Sequence, residues 1–227
     1  MSKVLIDADI VAYRAAWSTQ DDTQEDAEEK VDECMEYILR DTTFDGKPYE
    51  VFITGSGNFR YDIAVSYPYK GNRRDSAKPT WLDHCRDYLE EFWEANRSSG
   101  EEADDLIAIR ATELGKHAVV ASVDKDFLQL PCIHYNTRTQ EFKEVSEFEG
   151  LYFFYKQILM GDKADNIVGL HRVGPATADK ILKDVEDEYE MYDRVLAAYE
   201  GNADRVLENG RLLWLRREVG EIWQPPK

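Results

Sequence analysis

Apolar and polar positions change rhythm several times along the chain, and each change predicts an element. Residues 3–7 (KVLID) form a short apolar, β-branched run that ends in an acid, which predicts a first strand. Residues 10–17 continue it as a helix. Ala27, Val31, Met35 and Ile38 recur at helical spacing within residues 25–40. Residues 49–54 (YEVFIT) predict a second strand, stopped at Gly55-Ser56-Gly57. Residues 59–80 are irregular and basic, and 80–95 are helical. Gly100 opens a helix over about 102–114. Residues 118–123 (AVVASV) are a third strand, with a fourth at 133–135. Strands alternating with helices predict a parallel α/β sheet. From about residue 151 the pattern is all-helical, broken at Gly174-Pro175.

Length and composition narrow the class. The 227 residues, 43% of them hydrophobic, suffice for one α/β domain and an appendage. No apolar run is long enough to span a bilayer, and no charged-then-apolar leader stands at the start. A soluble, cytoplasmic, monomeric protein is expected, in a host cytoplasm if its origin is a phage. Cys34, Cys85 and Cys132 lie far apart and outside any CxxC, which argues against structural zinc and a disulfide framework. His84, His117, His134 and His171 show no ligand spacing.

The net charge of −18 argues against tight, salt-resistant binding to nucleic acid. Its distribution weakens the objection. Acidic blocks at 21–33 and 184–193 look like solvated helix faces. The stretch 60–78 is the reverse, with Arg60, Lys70, Arg73, Arg74 and Lys78 against Asp62 and Asp75.

Four groups of carboxylates carry candidate chemistry: Asp7 with Asp9; Glu101, Glu102, Asp104 and Asp105; Asp124 and Asp126; and Asp162 and Asp165. Helix capping is an ordinary explanation for residues 101–105, and a turn for Asp162 and Asp165. Asp7 is harder to dismiss. It ends a strand expected to be buried, where α/β proteins form a ligand crevice. Asp124 and Asp126 hold the same kind of position. Carboxylates crowded at one crevice need cations, and oxygen-only ligands suit Mg²⁺ or Mn²⁺. Two such ions would clamp a phosphodiester.

Five segments, in this order, resemble the 5′-nuclease family of flap endonucleases, the 5′-nuclease domain of bacterial DNA polymerase I and phage 5′–3′ exonucleases. They are LIDADIVAYR (5–14), NFRYDIAVSYPYKGNR (58–73), GEEADDLIA (100–108), SVDKDFLQL (122–130) and GDKADNIVGLHRVGPATADKIL (161–182). The tail LLWLRREVGEIWQPP looks closest to exonucleases of short-tailed phages. The resemblance implies a PIN-like α/β fold: a twisted, mostly parallel sheet flanked by helices. It divides the chain into a nuclease core over 1–150, with a helical arch around 66–99, and a helical region over 151–227 containing a helix-hairpin-helix.

It also implies roles. Asp7, Glu102 and Asp104 would belong to a first metal site, with Asp105 bridging or supporting. Asp124, Asp126, Asp162 and Asp165 would serve a second. Lys70 and Arg73 would contact the scissile phosphate region, joined at the DNA by Arg14, Arg74 and a stacking Tyr69 or Tyr13. The hairpin at 161–182 would aim backbone N–H groups at a duplex phosphate around Gly174 and Thr177, reading no bases. The implied cofactors are two Mg²⁺ ions, replaceable by Mn²⁺, with K⁺ a further candidate at the hairpin. The implied substrate is DNA with a 5′ end, flap or junction, RNA–DNA hybrid staying open as an alternative.

Two departures stand out. Where relatives carry an acid after the second strand, residues 52–57 (FITGSG) carry none, so the first site is one ligand short near Gly55; Asp9 or water is the candidate replacement. Arg172 stands where a glycine is usual, either adding a phosphate contact or distorting the loop. Two rival readings follow. One is a DNA-binding relative that lost cleavage with that acid. The other is a haloacid-dehalogenase-type phosphatase built on Asp7-Ala8-Asp9, which leaves the remaining acids unused.

Overall fold

The apolar run at the amino end forms strand β1 (Lys3–Asp7), in which Val4, Leu5 and Ile6 are fully buried. The structure is a computed structural model that describes residues 2–43, 48–73 and 77–227. The chain continues through helices α1 (Ala8–Ser18) and α2 (Gln24–Thr42), strand β2 (Tyr49–Ser56), short helix α3 (Arg60–Ile63) and a 3-10 turn at Gly71–Arg73. Helix α4 (Leu82–Phe92), strand β3 (Asn96–Ser99), helix α5 (Ala103–Leu114), strand β4 (Ala118–Ser122), strand β5 (Ile133–Asn136) and strand β6 (Glu141–Glu144) follow. The remainder is helix α6 (Glu147–Met160), strands β7 (Gly161–Asp162) and β8 (Ile167–Val168), and helices α7 (Pro175–Ile181), α8 (Glu188–Ala198) and α9 (Ala203–Leu213).

Contacts divide the chain into Met1–Asn58 with Ala77–Val145, and Phe59–Ser76 with Ser146–Lys227. The segment 59–76, grouped by sequence with the first part, thus belongs by its contacts to the second unit.

The first unit is built on a six-stranded sheet ordered β3-β2-β1-β4-β5-β6. Pairing is parallel except at the β5–β6 edge. Side chains alternate across the sheet. Val4 and Ile6 of β1, Val51 and Ile53 of β2, and Val119 and Ala121 of β4 share a core with α1, α2 and α4. Helix α5 packs on β1, β2 and β4, on the face where the intervening Leu5 and Val120 are buried. Each fully buried aliphatic side chain contributes roughly 1.5–3 kcal/mol. Helix α2 starts where Thr23 and Asp26 exchange capping bonds. All three cysteines are buried, and none of them forms a disulfide.

Two strands of this sheet escaped the hydrophobic pattern. Strands β3 (NRSS) and β6 (EFKE) are polar because each lies at an edge of the sheet. The strand expected to stop at Gly55 runs on to Ser56, with a register shift against β3 between Ile53 and Ser56.

The second unit corrects the all-helical expectation after residue 151. Strands β7 and β8 form a small antiparallel ladder. Glycines make it: a Cβ on Gly161 would lie 2.2 Å from the Ile167 carbonyl oxygen, and one on Gly169 would lie 2.2 Å from the Met160 carbonyl carbon. Gly161 also sits at φ +71°. The core gathers Phe154, Tyr155 and Ile158 of α6, Met191 and Val195 of α8, and Trp223. Arg60, counted by sequence with the basic stretch, is instead 2% exposed and internal. Its guanidinium donates to the carbonyls of Leu212 (2.9 Å) and Trp214 (2.8 Å), tying α3 to the end of α9.

Candidate functional site

In the first unit, strand order reverses between β1 and β4, and such a reversal leaves a crevice at the carboxyl ends of the strands. Asp7 is the last residue of β1 and is 4% exposed. Its Oδ2 accepts a 2.7 Å hydrogen bond from the Ser122 hydroxyl at the end of β4. Its Oδ1 is buried with no donor. Burial first, then the charges of Asp9 and Asp124, push the Asp7 carboxyl up to about 7, against the lowering effect of the Ser122 bond. The Ser122 hydroxyl also accepts from the Asp124 N–H at 2.9 Å. Asp124 Oδ1 in turn accepts from the Asp126 N–H at 2.8 Å. Ser122 thus links the Asp7 carboxylate to the Asp124 backbone, and the Asp124 carboxylate in turn holds the Asp126 N–H.

Asp9 is committed elsewhere. Its Oδ1 accepts from Arg86 Nε (2.9 Å) and Nη2 (2.7 Å), and its Oδ2 from the Thr54 N–H (2.9 Å). The Thr54 hydroxyl accepts from the Ala103 N–H at 3.1 Å, at the start of α5. A Cβ on Gly55 would lie 2.0 Å from the Ser98 carbonyl oxygen. Within the stretch that lacks an acid, Gly55 has no room for a side chain, and the charge expected to compensate is held by Arg86.

Helix α5 opens at Glu102, whose side chain forms a capping box with Asp105. Asp105 is fully buried and accepts from the Glu102 N–H at 3.3 Å. Asp104, between them, is half-buried. On the outer face of α1, Arg14 and Tyr13 are exposed, and the Arg86 guanidinium lies 5.5 Å from the Tyr13 ring.

In the second unit, Asp162 is buried, and its Oδ1 accepts from the Ala164 N–H at 2.6 Å. Asp165 faces three residues of the basic stretch. Its carboxylate accepts from the Tyr69 hydroxyl (2.9 Å) and from Arg73 Nη2 (2.7 Å), with Lys70 Nζ at 3.8 Å. The family resemblance assigns Asp165 to the metals and these three to the DNA; the structure brings all four together. Arg172 is exposed at φ +60°, the left-handed backbone for which glycine is usual. Gly174 caps α7 and Thr177 is exposed on it. Arg74 lies outside the described residues.

Among the described residues, no group of three or more His, Cys, Asp or Glu side chains forms a metal cage. Ser122, Thr54, Arg86, Asn72 and Asn166 escape a reading of the sequence. Ser122 has a signal, a hydroxyl between a strand and an acid. Arg86 has none, being one cation on an amphipathic helix.

No protein-family model matches the chain. The flap endonuclease Xni of Aeromonas hydrophila is 32% identical, with 70% of this chain and 71% of that protein covered. The chain belongs to the 5′-nuclease family. A second member, the flap endonuclease Xni of Shewanella piezotolerans, is 32% identical over 60% of each chain. The matches thus span 60% and 71% of the lengths of these 5′ nucleases. The fold agrees with solved 5′ nucleases. A T5 protein co-crystallised with metal ions superposes with TM-score 0.70 at 17% identity, covering 93% of this chain and 89% of that one. The catalytic core of Rad2 in complex with DNA substrate reaches TM-score 0.51 at 15% identity, covering 92% and 71%.

Proposed function

We propose that the protein is a divalent-metal-dependent 5′–3′ exonuclease or flap endonuclease that hydrolyses phosphodiesters near DNA 5′ ends. The observation that carries this is Asp7. A buried carboxylate oxygen with no donor, in a group pushed up to about 7 beside Asp9 and Asp124, is a site that a cation would relieve. The surrounding donors are carboxylate and hydroxyl oxygens, which favours Mg²⁺ or Mn²⁺ over softer metals. Mg²⁺ keeps several waters and needs only one or two carboxylates, so a closed cage is not required. Kinship with flap endonucleases supports the reaction, and a T5 5′-exonuclease of similar fold binds divalent zinc.

Bound Mg²⁺ would lower the pKa of a water and offset charge on the phosphate. In this reading Asp7, with Asp104, Asp124 and Asp126, binds metal in the first unit. Glu102 and Asp105 shape the start of α5 that carries Asp104. In the second unit, Lys70 and Arg73 contact substrate phosphate and Tyr69 orients beside them. Arg172, Gly174 and Thr177 approach duplex backbone without reading bases. Arg14 serves phosphate from α1. K⁺ at the hairpin, an RNA–DNA hybrid substrate, a monomeric state and a cytoplasmic location belong to the same proposal; the arch expected around 66–99 does not, because α4 packs in the first unit's core and β3 joins its sheet. Among the described residues no helix is long and apolar enough to cross a membrane.

A second reading, a relative that binds DNA without cutting it, is favoured by the occlusion at Gly55 and the pairing of Asp9 with Arg86. One assay decides. Purified protein is given a 5′-labelled flap duplex with Mg²⁺, with Mn²⁺, and with chelator. Short labelled products that vanish with chelator support the nuclease, and binding without products under either metal supports the second reading. Asp124→Ala should reduce cutting by at least about a hundredfold while sparing most binding; full activity would remove Asp124 from the site.

A further inference from the structure

The segment carrying Tyr69, Lys70 and Arg73 is fastened to the turn at 163–166 by two amides, each reaching from one piece of chain to the backbone of the other. Asn72 Nδ2 donates to the Lys163 carbonyl at 2.8 Å. Asn166 Nδ2 donates to the Pro68 carbonyl at 2.9 Å. Between them the Lys70 N–H donates to the Asp165 carbonyl at 2.9 Å, and Arg73 Nε to the Ala164 carbonyl at 2.8 Å. The clamp also holds unusual backbone: Lys70 sits at φ +51° and Asn166 at φ +59°. A residue in this region persists there only when its surroundings fix it. Gly71 fits beneath it, since a Cβ there would meet a Pro68 ring carbon at 2.8 Å.

We propose that Asn72 and Asn166 are positioning residues, which set the place of the Lys70 and Arg73 cations and so govern the grip on substrate phosphate. The inference rests on the reading of Lys70 and Arg73 as phosphate contacts. Charge alone leaves a flexible cation free to adopt many rotamers, and ordering it in advance lowers the cost of binding. Both amides are neutral and act on phosphate only through the neighbouring cations. Their donor atoms are assigned by their partners, since a carbonyl accepts only from the amide nitrogen.

Asn72→Ala removes one bond at an exposed position. Asn166→Gly removes the other while keeping a residue at ease at positive φ. Affinity for a 5′-flap DNA is measured by fluorescence anisotropy with Ca²⁺, and cleavage with Mg²⁺ at saturating metal. Melting curves confirm that each variant folds. Each single variant should weaken binding and lower kcat/KM by about five- to tenfold, the scale of one lost hydrogen bond. The Mg²⁺ concentration for half-activation should not move. In a Lys70→Ala, Arg73→Ala background the same substitutions should change binding by less than about twofold, because the groups they act through are gone. An equal loss in that background, or wild-type affinity in folded single variants, overturns the inference. A wild-type protein that binds the flap without cutting it refutes the nuclease reading and leaves the anisotropy comparison to decide the clamp. A wild-type protein that does neither overturns both.

Discussion

Asp7 ionises at a cost. Its carboxyl, ordinarily near 3.8, is pushed up to about 7 by burial and by its acidic neighbours. Between these values the folded protein holds a proton that the unfolded chain has released. Stability therefore falls as pH rises through that window, and the penalty is complete above about 7. A shift of this size corresponds to something on the order of 4 kcal/mol. In chelator, the wild type should melt at lower temperature at pH 8 than at pH 5, whereas Asp7→Asn should lose most of that difference. Adding Mg²⁺ at pH 8 should raise the wild-type Tm and leave the variant unmoved. Coinciding melting profiles for the two proteins across pH would show that the strain on Asp7 is not there. The strand-end position of Asp7 was legible, because an acid closing a buried apolar run has few structural excuses. The partner of Asp9 was not. Arg86 lies 77 residues away on a helix whose face toward the acid no local pattern reveals.

At the scale of elements, long amphipathic helices and the central strands were legible because their periods are set by one core. Polar edge strands were not, since nothing obliges β3 or β6 to be apolar. The ladder of β7 and β8 was hidden for another reason: it depends on two glycines that let backbones touch, and glycine reads as a loop. Gly161→Ala would have to leave φ +71° or clear a contact of 2.2 Å, and neither is available without moving Ile167. It should destabilise the protein by roughly 3 kcal/mol. Urea denaturation followed by tryptophan fluorescence measures this, since Trp223 lies in the same core. A loss below about 0.5 kcal/mol would mean that the turn carrying Asp162 and Asp165 tolerates a wider ladder. The acids at 101–105 show the converse. Their place at a helix start was plain, and Glu102 and Asp105 do form a capping box there.

For the whole molecule, charge sets the terms on which nucleic acid is held. A chain of net charge −18 would repel DNA at long range, so the proposed function has to draw its attraction from local cations. Two or three phosphates neutralised by Lys70, Arg73 and Arg172 would give a slope of about −2 to −3 in log affinity against log salt. Anisotropy titrations between about 50 and 300 mM salt measure it. A slope near −6 would require basic surface beyond these three residues. Composition predicts weak binding but not where the cations lie, because Arg60 of the same basic stretch is spent inside the second unit. The division at 59–76 was equally hidden. Its contacts run to residues nearly a hundred positions later, such as Tyr69 to Asp165.

The carbonyl of Ser98 standing where a side chain of Gly55 would begin has a historical consequence. An acid introduced at that position needs the backbone at Ser98 to shift first. The Arg86–Asp9 pair compounds the barrier, since an acid arriving beside it would inherit a neighbourhood whose cation is already engaged. An acid gained there is therefore expected to come with accompanying changes in β3 and around the Arg86–Asp9 pair. Lineages that cross this step should carry those changes together, and a laboratory selection starting from this sequence is expected to find other routes to faster catalysis before it finds that one.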